Sequence, residues 1–462
     1  EKRSRGSGMG RSGIFICAGF GLLLLQGCDE GLRFPTGPGP EDAIAAAARG
    51  EAPEGAAVAP VKVDLAGGFD ASLRAAVRQS PSYAAAQRRA EEARLGIAAA
   101  TSAERPQISA GGTLGAVIEA PGDRNATTTG AGLDLSLSQL IYDGGETAAG
   151  IGAAQARAIG AVSEVSIEAN ARALEAGSAW IDLWRARTQQ EEIAARLADI
   201  GPLVAQLDRL TSAGMIDRGA LLGVERAVIG LELEREQLMA QQRDAEARFR
   251  RHFGAVPATL ARPPGPPAIA ALARQEAALG DAPRLMAGAA AIVALDRQLE
   301  AAQARLKPKV GLRTGLRSPI SASDDPDLTA GIYLQHVFGD GGRRQAEIET
   351  LTARAAAARA DLEDARATGR AAFEAALSSY RALIAAQAAL ARQIELLGAE
   401  RTTLRSQLAS GQANLSQLID VEVNHYRAVT QSIANEAQMI STALRIEAET
   451  GALAKRLRIA AE

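Results

Sequence analysis

Two hydrophobic periods alternate along this chain. Every second position is apolar or small through Ile108, Ala110, Gly112, Leu114, Ala116 and Ile118, and again through Leu133, Leu135, Leu137 and Ile141, where Gln139 interrupts. The pattern returns in Val310, Leu312, Thr314 and Leu316, then in Ile332, Leu334 and Phe338. The intervening positions carry Asp134, Ser136 and Ser138, or Lys309, Arg313 and Arg317. Such alternation predicts strands with one apolar face, half-buried or turned to lipid. Elsewhere the period is helical. One pattern runs from Gly145 to Ala213 and a second from Ile216 to Phe253, with a turn at Ala213-Gly214. Ile193, Leu197, Ile200, Val204 and Leu207 step by 4, 3, 4 and 3, a coiled-coil seam. Gly201-Pro202 is expected to bend that helix. A helix of about 70 residues is about 100 Å long, far beyond a globular element. Upstream, Asp70 to Ser102 is expected as a first helix, and Glu119 to Ala131, with Pro-Gly-Asp and a run of Thr, as a hairpin loop.

The whole pattern occurs twice. Asp143 and Asp340 differ by 197, as do Gly201 and Gly398, Gly214 and Gly411, Leu221 and Leu418, Glu225 and Glu422, and Gly254 and Gly451. Pro81 and Pro283 differ by 202, as do Pro106 and Pro308. Five residues are therefore missing from the second copy between Pro308 and Asp340, and a hairpin loop is the expected place for the loss. Each copy reads helix, strand, loop, strand, long helix, turn, helix. Four strands per chain cannot close a membrane barrel, because bacterial barrels begin at eight. Several chains must pool them, or the sheet is soluble.

Composition narrows the classes. Aromatics are 3% of 462 residues and the formal net charge is -3, which suits long Ala-rich helices and gives no basic surface for nucleic acid. His252, His336 and His425 are far apart, with no metal-ligand spacing, so no cofactor is expected. No nucleophile or paired-carboxylate constellation points to an enzyme. Residues 1–27 read as an export signal, with Lys2, Arg3, Arg5 and Arg11 before the apolar run Gly13 to Leu25. Leu25-Gln26-Gly27-Cys28 resembles a lipobox, which implies cleavage before Cys28 and its lipidation. Residues 28–63, rich in Gly, Pro and Ala, read as a flexible tether. Asp29 follows the cysteine; in some bacteria Asp there favours the inner membrane, but the strand pattern calls for an outer one.

The phrases IYDGGET and VFGDGGRRQ invite a phosphate-loop reading, but neither contains GxGxxG or GxxxxGK[ST]. Asp143, Gly144, Gly145, Asp340, Gly341 and Gly342 instead fit strand-to-helix joints: glycine takes φ > 0 and Asp accepts from free helix N–H groups.

RQSPSYAAAQRRAEEARLGIAAATSAERPQIS, LSLSQLIYDGGET, LTSAGMIDRGALLGVERAV and LASGQANLSQLIDVEVNHYRA, in this order and within a duplicated frame, resemble the TolC-like outer-membrane efflux proteins. The resemblance covers residues 64–262 and 263–453 as two repeats, leaving 454–462 as a tail. It implies a mainly α protein with a membrane β-barrel: a homotrimer whose twelve pooled strands are continued by an α-helical coiled-coil barrel across the periplasm. It implies an exit duct in an efflux or type I secretion system, set in outer-membrane lipid. Its partners would be a periplasmic adaptor and an inner-membrane ABC or RND transporter. Ala213, Gly214, Met215, Ser410, Gly411 and Gln412 would meet those partners at the periplasmic tip, and Asp420 and Glu422 would line a constricted entrance. Tyr142, Tyr333 and Phe338 would mark the lipid–water boundary. The alternative is a lipid-anchored periplasmic coiled-coil adaptor or scaffold, a class that lacks four alternating strands in two pairs.

Overall fold

The computed structural model describes residues 44–45, 63–119, 126–215, 217–318, 326–409 and 414–459. The signal, Cys28, most of the tether, and Ser410, Gly411 and Gln412 lie outside these residues, as do the side chains of Ala116 and Ile118. The following concerns the unit from Pro60 onward.

Two short helices open it, α1 (Gly68–Arg78) and α2 (Pro81–Thr101). The expected single helix is broken because Pro81 has no N–H to continue it; proline instead starts α2 at the first helical position. Strands β1 (Gln107–Glu119) and β2 (Ala126–Tyr142) follow, then α3 (Glu146–Ser212) and α4 (Arg218–Phe253). After a short helix α5 (Ile269–Ala273) and a 3-10 segment, the order returns: α6 (Pro283–Ala304), β3 (Lys309–Ser318), β4 (Asp327–Gln335), α7 (Arg343–Ala409) and α8 (Leu415–Glu449), closed by α9 (Ala452–Arg456). Both α3 and α7 are 67 residues long. Pro202 stands inside α3 without ending it.

The strands form one antiparallel meander in the order β1-β2-β3-β4. Ile108 faces Leu137, Ala110 faces Leu135, Leu135 faces Leu316, and Leu312 faces Ile332. One face is therefore apolar across all four strands, and it is exposed: Ile108, Leu114, Leu133, Leu328, Ile332 and Leu334 have no covering layer among the described residues. The opposite face carries Ser109 bonded to Ser136 at 2.7 Å, with Asp134, Arg313 and Arg317 alongside.

Three expectations change here. The strand β2 begins at Ala126, inside the expected loop, because consecutive β-branched Thr residues favour extended backbone. The later pair of strands is also the shorter: β1 and β2 have 13 and 17 residues, while β3 and β4 have 10 and 9, a difference larger than the five residues lost. Hairpin arms can shorten by cross-strand pairs without disturbing the register of what remains. Tyr333 lies on the polar face, opposite Gly311, whose missing side chain makes room for the ring; a Cβ there would meet it at 2.5 Å. Phe338, 93% exposed, lies beyond the end of β4.

The helices pack through small residues. Ala290, Ala294, Ala301, Ala302 and Ala304 are buried on α6 between α3 and α7. Aromatics gather at one level, where Trp180 packs on Phe69, Phe249 and Phe253 and donates to the Ala261 carbonyl at 3.0 Å. Near the far ends of α3, α4 and α8, Ile193, Ile200 and Leu207 are buried with Leu231, Leu418 and Ile419. Leu197 and Val204 pack against that cluster, so the heptad seam is a real contact line.

Candidate functional site

Each strand-to-helix joint is built from a carboxylate and two glycines. Gly144 and Gly145 have φ of +73° and +96°, and Gly341 and Gly342 have +68° and +86°. That double left-handed step turns the chain into the helix that follows, directly from β2 in the first case and several residues after β4 in the second. Asp143 then accepts from the N–H groups of Gly145 at 2.9 Å and Thr147 at 2.6 Å. Burial alone would raise its pKa, but these hydrogen bonds and Lys309 hold the carboxyl below its ordinary value. Asp340 repeats the motif, accepting from Gly342 and Arg344 backbone N–H groups at 3.1 Å each, and from Arg344 Nε at 2.7 Å. Gly144 has a second constraint: a Cβ there would stand 2.7 Å from the Lys307 side chain.

An ionic network ties the joints together. Glu146, at the start of α3, accepts from Arg305 Nε at 2.9 Å and pairs with Lys309 at 2.5 Å. Arg305 also reaches Glu347 of α7 at 2.7 Å, and these two carboxylates raise its pKa. Arg344 donates to the Arg305 carbonyl at 3.0 Å and the Val337 carbonyl at 2.6 Å. Below this network lies a cleft of about 500 Å³ bordered by α3, α6 and α7.

At the other end, α3 stops at a glycine. The Gly214 N–H donates to the Thr211 carbonyl at 2.9 Å and the Met215 N–H to the Leu210 carbonyl at 2.9 Å, with Gly214 at φ +72°. Asp217 caps α4 by accepting from the Gly219 N–H at 2.9 Å, and Asn414 caps α8 through the Ser416 N–H at 3.0 Å. Met215 is exposed at this tip.

Two helical turns inward sits a buried charge cluster. Glu422 is 0% exposed and pairs with Arg196, with Arg405 at 2.7 Å and with Arg401 at 3.6 Å. Arg196, its side chain 7% exposed, also reaches Asp199 at 3.5 Å. His425 adjoins the cluster; burial, then Arg401 and Arg196, lower its pKa, while Glu422 opposes them. Tyr426 donates to Glu234 at 3.0 Å, and burial in front of that carboxylate raises its pKa.

No family model matches the chain. Protein CyaE of Bordetella pertussis is 26% identical over 340 residues, 70% of each protein. Among solved structures, the outer membrane protein VceC from Vibrio cholerae superposes with a TM-score of 0.72 at 16% identity, over 82% of this chain and 95% of that one. The open-state MtrE outer membrane channel of Neisseria gonorrhoeae gives 0.70 at 15% identity, over 83% and 89%. The chain has the TolC-like outer-membrane channel fold.

The TolC-like fold brings the sequence-predicted residues together unevenly. Asp143, Gly144 and Gly145 lie between the end of β2 and the start of α3, while Asp340, Gly341 and Gly342 make the same turn before α7 with β4 already ended at Gln335. Ala213, Gly214 and Met215 form one tip turn, while the matching Ser410, Gly411 and Gln412 fall outside the described residues. Asp420 is exposed, whereas Glu422 is turned inward within the protomer as the ion-pair partner of three arginines. Its repeat counterpart Glu225 is exposed. The arginines around Glu422 escaped sequence reading. Arg401 and Arg405 lie one turn apart on α7, a signal that was available, but Arg196 comes from a helix more than two hundred residues away. Among the described residues, no group of His, Cys, Asp and Glu is arranged to hold a metal.

Proposed function

We propose that the chain is one protomer of a trimeric outer-membrane exit duct, a passive conduit serving an efflux or type I secretion system. One observation carries this reading: a four-stranded sheet, open at both edges, whose apolar face is exposed across every strand. An open edge is not viable in hydrocarbon, and a water-facing apolar sheet of this extent would aggregate. Three chains would pool twelve strands, removing the edges and placing the apolar face in lipid. Strands of 9 to 17 residues meet the roughly 9–11 that a tilted strand needs to cross. The 67-residue helices then reach about 100 Å into the periplasm.

In this reading the joints mark the membrane boundary, and the duplicated unit leaves the membrane once per copy. The duct would be lipid-anchored at Cys28. The tip turns, with Met215 exposed, would meet a periplasmic adaptor and an inner-membrane ABC or RND transporter, which supplies the energy. Asp420, exposed near the tip, would recur three times around the entrance and raise local cation density. No catalytic role is assigned to any residue. A separate adaptor or scaffold class gives no use for the apolar sheet.

The test is conductance of the purified trimer in planar lipid bilayers. Discrete channels are expected, with Asp420→Asn weakening block by multivalent cations added at the tip side. A folded trimer that forms no pore would sink the proposal.

A further inference from the structure

The cleft below the joints has a charge balance that the duct reading leaves unused. Its polar lining is Arg157 of α3, Gln298 and Arg305 of α6, and Glu347, Thr350 and Arg354 of α7. Glu347, the carboxylate in that set, is already held by Arg305 at 2.7 Å. Arg157 and Arg354 are exposed, and among the described residues neither is paired with a carboxylate. Two uncompensated guanidinium groups therefore share a cleft of about 500 Å³ with a third. Guanidinium groups present paired N–H donors that match phosphate and carboxylate oxygens.

Strand parity places the basic residues that adjoin the cleft. Arg305 and Lys309 grip the same carboxylate, Glu146, at 2.9 and 2.5 Å. Lys309 alternates with Val310 and Leu312, and so lies on the face of β3 that carries Arg313 and Arg317. Arg313 stands 5.0 Å from the Tyr333 ring centroid on that polar face. The basic residues therefore continue upward from the cleft along the side away from the apolar, lipid-seeking surface. A lipid headgroup would have to approach from the other side.

We propose that Arg157, Arg305 and Arg354 form an anion-binding subsite on the lumen side of the joint, which takes phosphate or carboxylate groups of anionic cargo as it passes from the helical section into the β section. The proposal rests on the duct reading for its statement that the polar face is the lumen; anion binding itself does not. In a trimer the three sites would form a basic belt immediately below the barrel. A second cleft of about 420 Å³ on α3 and α6 supplies a control: its Arg297 pairs with Glu300 at 2.7 Å, and its Lys307 donates to the Gly144 carbonyl at 3.1 Å.

Isothermal titration of the detergent-purified full chain with inorganic tripolyphosphate tests the site without requiring an open pore. Saturable binding is expected, weakened about tenfold or more in the Arg157→Gln/Arg354→Gln variant, while Arg297→Gln binds as the parent does. Circular dichroism and gel filtration verify that each variant keeps its fold and assembly. No binding by the parent, equal binding by the double variant, or loss of binding in Arg297→Gln would each overturn the proposal. Tripolyphosphate added on the barrel side of reconstituted channels should then block current in the parent and far less in the double variant. Block unchanged by the double substitution would also overturn the lumen assignment. A protein that binds tripolyphosphate through these arginines yet forms no pore keeps the anion site and refutes the duct instead.

Discussion

Gly144 and Gly341 occupy the same turn with nearly the same φ, +73° and +68°, yet their surroundings differ. At Gly341 a Cβ would meet nothing within 4 Å, whereas at Gly144 it would strike Lys307 at 2.7 Å and approach the Ala304 carbonyl at 3.1 Å. Both alanine substitutions incur left-handed strain of about 1–3 kcal/mol. Gly144→Ala adds a steric conflict between α6 and the joint, so its melting temperature should fall further than that of Gly341→Ala. Equal shifts would show that Lys307 yields freely. Asp143 offers a pH test of the same turn. Its folded carboxyl titrates below the ordinary 3.8, so the stability it contributes is complete above 3.8 and is lost as pH falls through the folded value. Asp143→Ala should cost about 1–2 kcal/mol at neutral pH, as other lost caps do. That difference should shrink in melts recorded well below pH 3.8.

At the scale of elements, the far ends of α3, α7 and α8 are joined by one buried carboxylate. Removing one partner of a buried ion pair leaves the other charge unsolvated, at about 3–5 kcal/mol. Glu422→Gln should approach that loss, because Arg196 has little access to water, although the more exposed Arg401 and Arg405 can turn outward. Asp420→Asn, two residues away and exposed, should stay within about 0.5 kcal/mol. Chemical denaturation of the two variants side by side checks this, and similar losses would contradict the burial of Glu422. His425 makes the same region acid-sensitive. Its pKa is depressed from 6.5, so its contribution is complete above 6.5 and is lost as pH falls toward the lowered value. Replacing it with Gln should flatten the difference between melts at about pH 7.5 and about pH 5.5.

At the scale of the whole molecule, the proposed duct makes the two faces of the sheet unequal. Leu135 and Ser136 are neighbours near the middle of β2 but point to opposite faces. An arginine on the lipid face of a barrel costs about 2–4 kcal/mol near the bilayer midplane, while a lumen-facing one is tolerated. Leu135→Arg should therefore reduce heat-modifiable trimer in outer-membrane fractions, and Ser136→Arg should leave it nearly unchanged. Equal tolerance would argue for a sheet that never enters lipid.

Much of this was legible in the residues themselves. Alternation exposed the four strands, 3.6-residue periodicity the two great helices, and the heptad spacing of Ile193, Ile200 and Leu207 their buried seam. The Asp-Gly-Gly joints were readable as well, because cap chemistry and positive φ depend on neighbours within a few positions. What stayed hidden depends on partners distant in the chain. Tyr333 reads as a boundary aromatic until β3 places Gly311 beneath its ring. Glu422 reads as a solvated or channel charge until α3 brings Arg196 against it. Nothing in their own neighbourhood marks Arg157 and Arg354; only α6 sets them around one cleft. Local backbone preference and periodicity are properties of adjacent residues, so sequence determines them alone. Which charges are compensated, and which face each side chain meets, depends on tertiary packing, because Coulomb energy and desolvation follow distance in space.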